Sequence, residues 1–269
     1  MIRIALVLAA LLAGIAGSVR AADYPTRPVK WIVPYAPAGT TDVLARIIAQ
    51  WLSEKMGQTF VIENRPGGGN NIGTEAVVNA PPDGYTMLLV NPANGINATL
   101  YKNLNFNFIR DMAPVAGLVR TPNVMEVTNG MPVKSVREFI AYCKANPGKI
   151  NIASSGSGTS VHLSGELFKS MTGCDMLHVP YKGAGPALTD LMGGQVDVPF
   201  DNLPSSIGHI KGGKLRALAV TSEQREPRDR LAELGGKPIA GTAEDFGRLI
   251  AAETAKWEKV VTSSGARVE

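Results

Sequence analysis

The sequence predicts an α/β protein of two lobes, each built on a βαβαβ unit. Three observations predict it. Apolar stretches of strand length alternate with stretches whose apolar residues recur at helical spacing. That alternation is written twice, once from Trp31 and once from Ile150. In both copies the first strand runs into a loop of small residues that holds a Gly-Thr pair at a helix entrance, Gly39-Thr40 and Gly158-Thr159.

The elements follow in order. Residues 1–21 read as a secretory signal peptide: Arg3 supplies the positive start, Ile4–Ala16 the apolar run, and Val19-Arg20-Ala21 a small-x-small cleavage site. The run is short for a membrane span. The mature chain is therefore expected to begin at Ala22, exported and periplasmic; an uncleaved anchor is the alternative. Pro25 and Pro28 keep Asp23–Lys30 extended. Trp31–Tyr35 is a strand, Ala36–Asp42 a small-residue loop, and Val43–Met56 a helix with Val43, Leu44, Ile47, Ile48, Trp51 and Leu52 at helical spacing. The next strand, Thr59–Asn64, runs into Gly67-Gly68-Gly69. A helix follows, then the turn Pro81-Pro82-Asp83-Gly84 and the strand Tyr85–Val90. Asn91–Asn97 reads as an Asn-rich loop leaving that strand at its carboxyl end, the edge where open α/β sheets bind ligands.

Met112–Val127 reads as two short strands around Thr121-Pro122, crossing between lobes. Ser135 and Glu138 form a capping-box pattern that opens a helix to about Ala145, and Pro147-Gly148 stops it. The second copy runs through Ile150–Ala153, the loop Ser154–Ser160, and a helix with Leu163, Leu167, Phe168 and Met171 on one side. Its second strand, Asp175–Tyr181, runs into Gly183 and Gly185, and its third is Val196–Phe200. Lys214–Ser222 is a strand returning toward the first lobe. The charged run Glu223–Arg230 leads into a short helix from Pro227 to Gly235. Thr242–Val261 is an amphipathic helix, apolar along Phe246, Leu249, Ile250, Trp257, Val260 and Val261, expected to pack on the first lobe. The expected division is residues 22–120, completed by 223–269, for the first lobe and 121–222 for the second.

Composition narrows the function. The chain has 269 residues, 45% of them apolar, which supplies a core for two medium domains. The formal net charge of +4 includes Arg3 and Arg20, so without them it is +4 − 2 = +2. With no basic stripe, this excludes a nucleic-acid partner. Cys143 and Cys174 admit a disulfide in an oxidising compartment, or two buried free thiols; spacing leaves both open.

A small-residue turn at a helix N-terminus leaves backbone N–H groups unpaired at the positive end of the helix dipole, which favours an anion. Ser and Thr hydroxyls add donors and caps. Either turn alone reads equally well as a tight connection; the duplication favours a site. Catalytic patterns fare worse. His162, His178 and His209 lack metal-ligand spacing. Gly156-Ser157-Gly158 is not a nucleophile elbow, because Ser155 stands where the first glycine belongs. Gly208–Lys214 has P-loop spacing but continues with Leu215 instead of Ser or Thr. Neither strand-to-helix turn carries a dinucleotide fingerprint, and no cofactor is implied. What remains is a binding site without a reactive centre. A hydrolase using Ser157 or Ser160 with His162 is the enzymatic alternative.

Several segments together resemble a known family. YPTRPVKWIVPYAPAGTTDVLAR, VIENRPGGGNNIGTEAV, PPDGYTMLL, SSGSGTSVHLSGELF, HVPYKGAGPALTDLMGGQVDVPFDNLPS and GKLRALAVTS occur in that order. The chain resembles the Bug-type periplasmic solute-binding proteins of tripartite tricarboxylate transporters. The resemblance implies a type II periplasmic binding-protein architecture and a small organic carboxylate as ligand: a dicarboxylate, citrate-like acid, acidic amino acid or aromatic acid. It implies a monomer that serves membrane transporter subunits. It also implies a two-loop clamp, with Ala38, Gly39, Thr40 and Asp42 in one loop and Ser155, Gly158, Thr159, Ser160 and His162 in the other. Asp201 and Asn202 stand where the family places cleft residues. Asp42 is expected to order its loop or cap its helix, and Asp201 to face a polar or amino group of the ligand. One departure is large. After the AVTS strand, Arg225-Glu226-Pro227 passes almost directly into RDRLAELGG, where the family continues with a strand-plus-helix block. A shortened, transport-incompetent family member is therefore the second reading.

Overall fold

The computed structural model describes residues 24–222 and 237–267. The expected signal peptide, the charged run after Ser222, the short helix expected from Pro227 and the junction at Arg225-Glu226-Pro227 lie outside them.

The first sheet holds β1 (Val29–Val33), β2 (Phe60–Asn64) and β3 (Thr86–Leu88) in the order β2-β1-β3, all parallel. Parallel neighbours need a crossover, which helices supply. Here α1 (Thr40–Met56) joins β1 to β2, and α2 (Asn71–Val78) joins β2 to β3. Val29, Trp31, Val33, Ala45, Ala49, Phe60 and Leu89 form the core between them. The helix α1 starts at Thr40, three residues before the expected Val43, because Gly39 already takes the extended cap conformation. It ends at Gly57, whose φ of +72° is the left-handed closure that glycine provides without steric penalty.

Asn91–Asn97 is no loop. Asn91 caps the helix α3 (Pro92–Leu100) through a reciprocal pair with Asn94, and Pro92 occupies the first turn, where its missing N–H is harmless. After α4 (Phe108–Asp111), β4 (Val119–Arg120) pairs antiparallel with β10 (Lys237–Pro238).

The second sheet has the order β7-β6-β8-β5-β9, with β5 (Asn123–Thr128), β6 (Ile150–Ser154), β7 (Met176–Pro180), β8 (Val198–Asn202) and β9 (Leu215–Val220). β6 is parallel to both β7 and β8, so the second copy repeats the order of the first: initial strand in the middle, second and third strands beside it. β5 then pairs antiparallel with β8 and β9. The helices are α5 (Val136–Ala145), α6 (Ser160–Thr172), α7 (Ala184–Met192) and α8 (Leu203–Lys211). Phe139, Cys143, Ile150, Ile152, Cys174, Met176, Val198 and Phe200 share one core, in which both cysteines are buried free thiols. The expected capping box at Ser135 is half made: its side chain accepts from Glu138 N, while the Glu138 carboxylate accepts from Lys134 N.

The last helix, α9 (Ala243–Ser264), has a complete capping box between Thr242 and Asp245. It lies on α3, and it also reaches α6 of the second copy. Val261 is buried with Ile96 and Leu100 of α3 and Leu163 of α6, with Trp257 and Val260 packed alongside. No helix among the described residues is long and apolar enough to cross a membrane.

Candidate functional site

The carboxyl ends of β1 and β6 feed α1 and α6, and the turns between them meet the opposite half of the molecule. The first turn holds Ala38 at φ +68°, unusual for a residue with a Cβ. Asp42 explains it. Its carboxylate accepts from Ala38 N at 3.1 Å, from Arg46 Nε and Nη2 at 3.0 and 2.9 Å, and from Asn64 Nδ2 at 2.9 Å. Burial would raise the pKa of Asp42, but the hydrogen bonds from Arg46, Asn64 and the Ala38 amide outweigh it and hold the group below the usual carboxylate range. Asp42 therefore orders the loop.

This turn touches the second half directly. Ala36 N donates to Lys182 O at 2.8 Å, and Gly39 lies against Ala184. Thr40 Oγ1 is 3.1 Å from Ser205 Oγ and accepts from Ser205 N at 3.1 Å. Its hydroxyl thus serves the junction between the halves. Behind it runs a buried polar relay. Ser205 donates to Asp201, Ser206 Oγ lies 2.9 Å from Asp201 Oδ2 and 2.7 Å from Glu126 Oε1, and Glu126 Oε2 has no partner among the described residues. One serine proton cannot serve two carboxylates, so both Ser206 contacts are hydrogen bonds only when one acid carries a proton. Burial, and then the charge of Asp201, pushes Glu126 up to about 8; Asp201 is raised too, chiefly by burial. Asn202 donates to Asn123 Oδ1 at 2.6 Å, tying β8 to β5.

The second turn is folded around its own polar groups. Ser155, Gly158 and Thr159 are buried, and Ser160 is half-buried. The Thr159 hydroxyl donates to Gly156 O at 2.7 Å and accepts from His162 N at 3.2 Å, capping α6. Gly156 N donates to Ser154 Oγ, which is 2.6 Å from His178 Nε2. Gly158 N donates to His162 Nδ1 at 3.2 Å, and the two imidazoles stack with centroids 4.1 Å apart. Burial pushes both rings down to about 4, so both are neutral near pH 7.

Opposite this turn stands the glycine run of the first half. A methyl on Gly69 would meet Ser157 O at 2.1 Å, and one on Gly158 would meet Asn97 Oδ1 at 2.0 Å; both glycines also have positive φ. Only glycine fits this approach. Tyr101 donates to Ser157 O at 3.2 Å. Asn97 donates to Gly69 O and Asn71 Oδ1, and Asn94 links Asn70 to Thr74. Asn71 Nδ2, Asn91 Nδ2 and Asn97 Oδ1 are buried without a partner among the described residues.

The structure thus brings Thr40 together with Asn202 and Ser205, and the second turn together with Gly69, Asn97 and Tyr101. Ser205, Asn97, Asn123 and His178 were not singled out as site residues from sequence. The Asn-rich stretch after β3 was the one available signal. The described residues contain no group of three side chains suited to a metal ion.

Comparison with known proteins fits this architecture. Residues 44–230 match the model of the tripartite tricarboxylate transporter family receptor. Protein BugT of Bordetella pertussis is 39% identical over 229 residues, covering 83% of this chain and 70% of that protein. A Pseudomonas sp. strain P51 protein from the tcbD-tcbE intergenic region is 37% identical, covering 80% of this chain and 65% of its own length. The chain thus spans about two thirds of these curated relatives. Among solved structures, R. palustris Rpa4515 with adipate superposes with a TM-score of 0.87 at 35% identity, over 91% of this chain and 100% of that one. MatC from Rhodopseudomonas palustris, with bound malate, gives 0.84 at 26% identity, over 88% of this chain and 100% of that one. The family match, the relatives and the shared two-sheet fold lead to one conclusion: this chain belongs to the tripartite tricarboxylate transporter receptor family, among its Bug-type periplasmic binding proteins.

Proposed function

We propose that this protein is an exported, non-enzymatic receptor that captures a small organic carboxylate between two α/β lobes and presents it, as a monomer, to membrane transporter subunits. The observation that carries the reading is the repeated strand-to-helix turn. β1→α1 and β6→α6 each bring a helix N-terminus to the junction of the halves, a setting suited to carboxylate oxygens. The adipate and malate in two related structures support the ligand class. In this reading residues 22–120 with 223–269 form one lobe, 121–222 form the other, and residues 1–21 direct export.

The proposed wall of the site comprises Ala38, Gly39, Thr40 and Asp42 from one side, and Ser155, Gly158, Thr159, Ser160 and His162 from the other, with Asp201 and Asn202 at the junction. Asp42 acts by shaping its loop, and Thr40 by joining the lobes. The hydrolase alternative is disfavoured by His162. The Nδ1 lone pair already accepts from Gly158 N, which leaves the proton on Nε2 and no basic nitrogen free to activate a serine. A shortened, transport-incompetent receptor is the second reading, motivated by the abrupt Arg225-Glu226-Pro227 junction and the partial span of the relatives.

The test is thermal unfolding of Ala22–Glu269 with and without a panel of carboxylates. Binding to the folded state raises the midpoint by mass action. A cooperative transition shifted by one class of acid supports the receptor. A cooperative transition that no acid moves refutes carboxylate capture, and failure to unfold cooperatively supports the shortened, incompetent form.

A further inference from the structure

The resemblance implied His162 as a ligand contact, but its Nδ1 and its backbone N–H are already engaged within the turn. Its Nδ1 accepts from Gly158 N at 3.2 Å, its backbone N–H is capped by Thr159, and its Nε2 faces Glu166, whose carboxylate is also bound by Lys169 Nζ at 2.9 Å. His178, from the neighbouring strand β7, stacks on it and contacts Ser154, the last residue of β6. Ser154 in turn accepts the Gly156 amide at 3.1 Å. The two glycine amides of the turn are therefore each held from inside, one through His162 and one through the Ser154–His178 pair. Gly156 and Gly158 have φ of +125° and +85°, which glycine adopts freely, so the hydrogen bonds are what select this shape among those open to the turn.

We infer that His162 and His178 are positioning residues: a stacked pair of neutral imidazoles that fixes the backbone of Ser155–Thr159 in the shape needed to present the α6 entrance to a carboxylate. The inference rests on the proposed function for the word carboxylate, but the positioning itself does not. Because Gly158 offers an N–H, the Nδ1 facing it must present a lone pair, which places the His162 proton on Nε2. Protonating His162 would set an N–H against the Gly158 N–H and a cation against the His178 ring. Burial resists this, since it holds both rings near 4. The anion is thus not met by an imidazolium, and the Gly156 and Gly158 amides are spent on holding the turn rather than on the ligand.

Two measurements on the full mature chain test the inference. A long-range proton–nitrogen spectrum of the ligand-free protein at neutral pH should show His162 neutral, protonated on Nε2, with Nδ1 accepting a hydrogen bond. An Nδ1–H tautomer or an imidazolium at His162 overturns the proposal. The second measurement compares His162→Asn with His162→Leu. The two replacements have nearly the same shape and both lose the ring, but only Asn keeps an acceptor near the Nδ1 position. Titration with adipate and with malate should show His162→Leu binding roughly tenfold more weakly than His162→Asn, the effect of leaving one buried amide unpaired. Exchange of the Gly158 amide should be fast in His162→Leu and slow in His162→Asn. Equal affinity and equal exchange in the two variants overturn the proposal. If the parent chain binds neither acid, the receptor reading fails for those ligands, while the tautomer and the Gly158 exchange still decide whether His162 positions the turn.

Discussion

Replacing Glu126 by Gln tests the shared proton at the junction of the halves. Glu126 is fully buried, its carboxyl meets Ser206 Oγ at 2.7 Å, and its pKa is raised from 4.5 to about 8 by burial and by Asp201. A carboxyl with a raised folded pKa favours folding at low pH, and that stability is lost as pH climbs from the unfolded value through the folded one. The folded chain holds about one more proton than the unfolded chain at this site at pH 6, and about half a proton more at pH 8. At about 1.4 kcal/mol per proton and pH unit this removes roughly 2 kcal/mol over the interval. For a chain of this size, roughly 2–4 °C of midpoint accompanies each kcal/mol, so the midpoint should fall by roughly 4–8 °C from this group. Gln keeps the volume, offers Ser206 an N–H in place of the shared proton, and does not titrate. The assay is thermal unfolding of parent and Glu126→Gln from pH 5.5 to 8.5. The difference between the two curves cancels the titrating groups that do not interact with Glu126, and reports Glu126 together with Asp201, whose charge it feels. The variant should gain on the parent steadily above pH 6; parallel curves would refute the shared-proton account.

Three further outcomes follow from the packing. Gly69→Ala puts a methyl 2.1 Å from Ser157 O at a positive φ, so it should wedge the halves apart and remove the carboxylate-induced rise in melting temperature; an unchanged rise contradicts the close approach. Thr159→Ala removes the α6 cap and should cost about 1 kcal/mol, measured by urea unfolding. Phe139→Ala empties a fully buried position beside Phe168 and should cost about 3–5 kcal/mol in the same assay, with a loss below 1 kcal/mol arguing against the core as described.

The parts of this molecule readable in sequence are those whose causes are local. Alternating strand and helix patterns exposed both βαβαβ units, and Asp42 could be read as a loop organiser because its partners Ala38 and Arg46 lie four residues either side. The helix α3 was hidden because Asn91, Asn94, Gly95 and Asn97 resemble a solvated loop. Asn94 and Asn97 are buried because they bond Asn70, Thr74 and Gly69, 20 to 28 residues away. Thr40 was read correctly as a helix-entrance residue, but its hydroxyl partner Ser205 is 165 residues on, and nothing in local spacing announces it. His162 shows the same limit. Its position in the turn is evident from sequence, but the direction of its ring is set by Gly158 and by a histidine on another strand.

The helix α9 has a mechanical consequence. Val261 is buried with Ile96 and Leu100 of α3 and with Leu163 of α6, so in the proposed two-lobe receptor a single rod is attached to both lobes. Swinging α3 away from α6 would strip the rod from one of them and wet that apolar seam. Such a strap acts as a spring on the open–closed balance, and apparent affinity scales with the fraction of molecules in the competent state. On that proposal, a residue such as Trp257, packed beside this seam, would tune how strongly the receptor holds its cargo without ever meeting it.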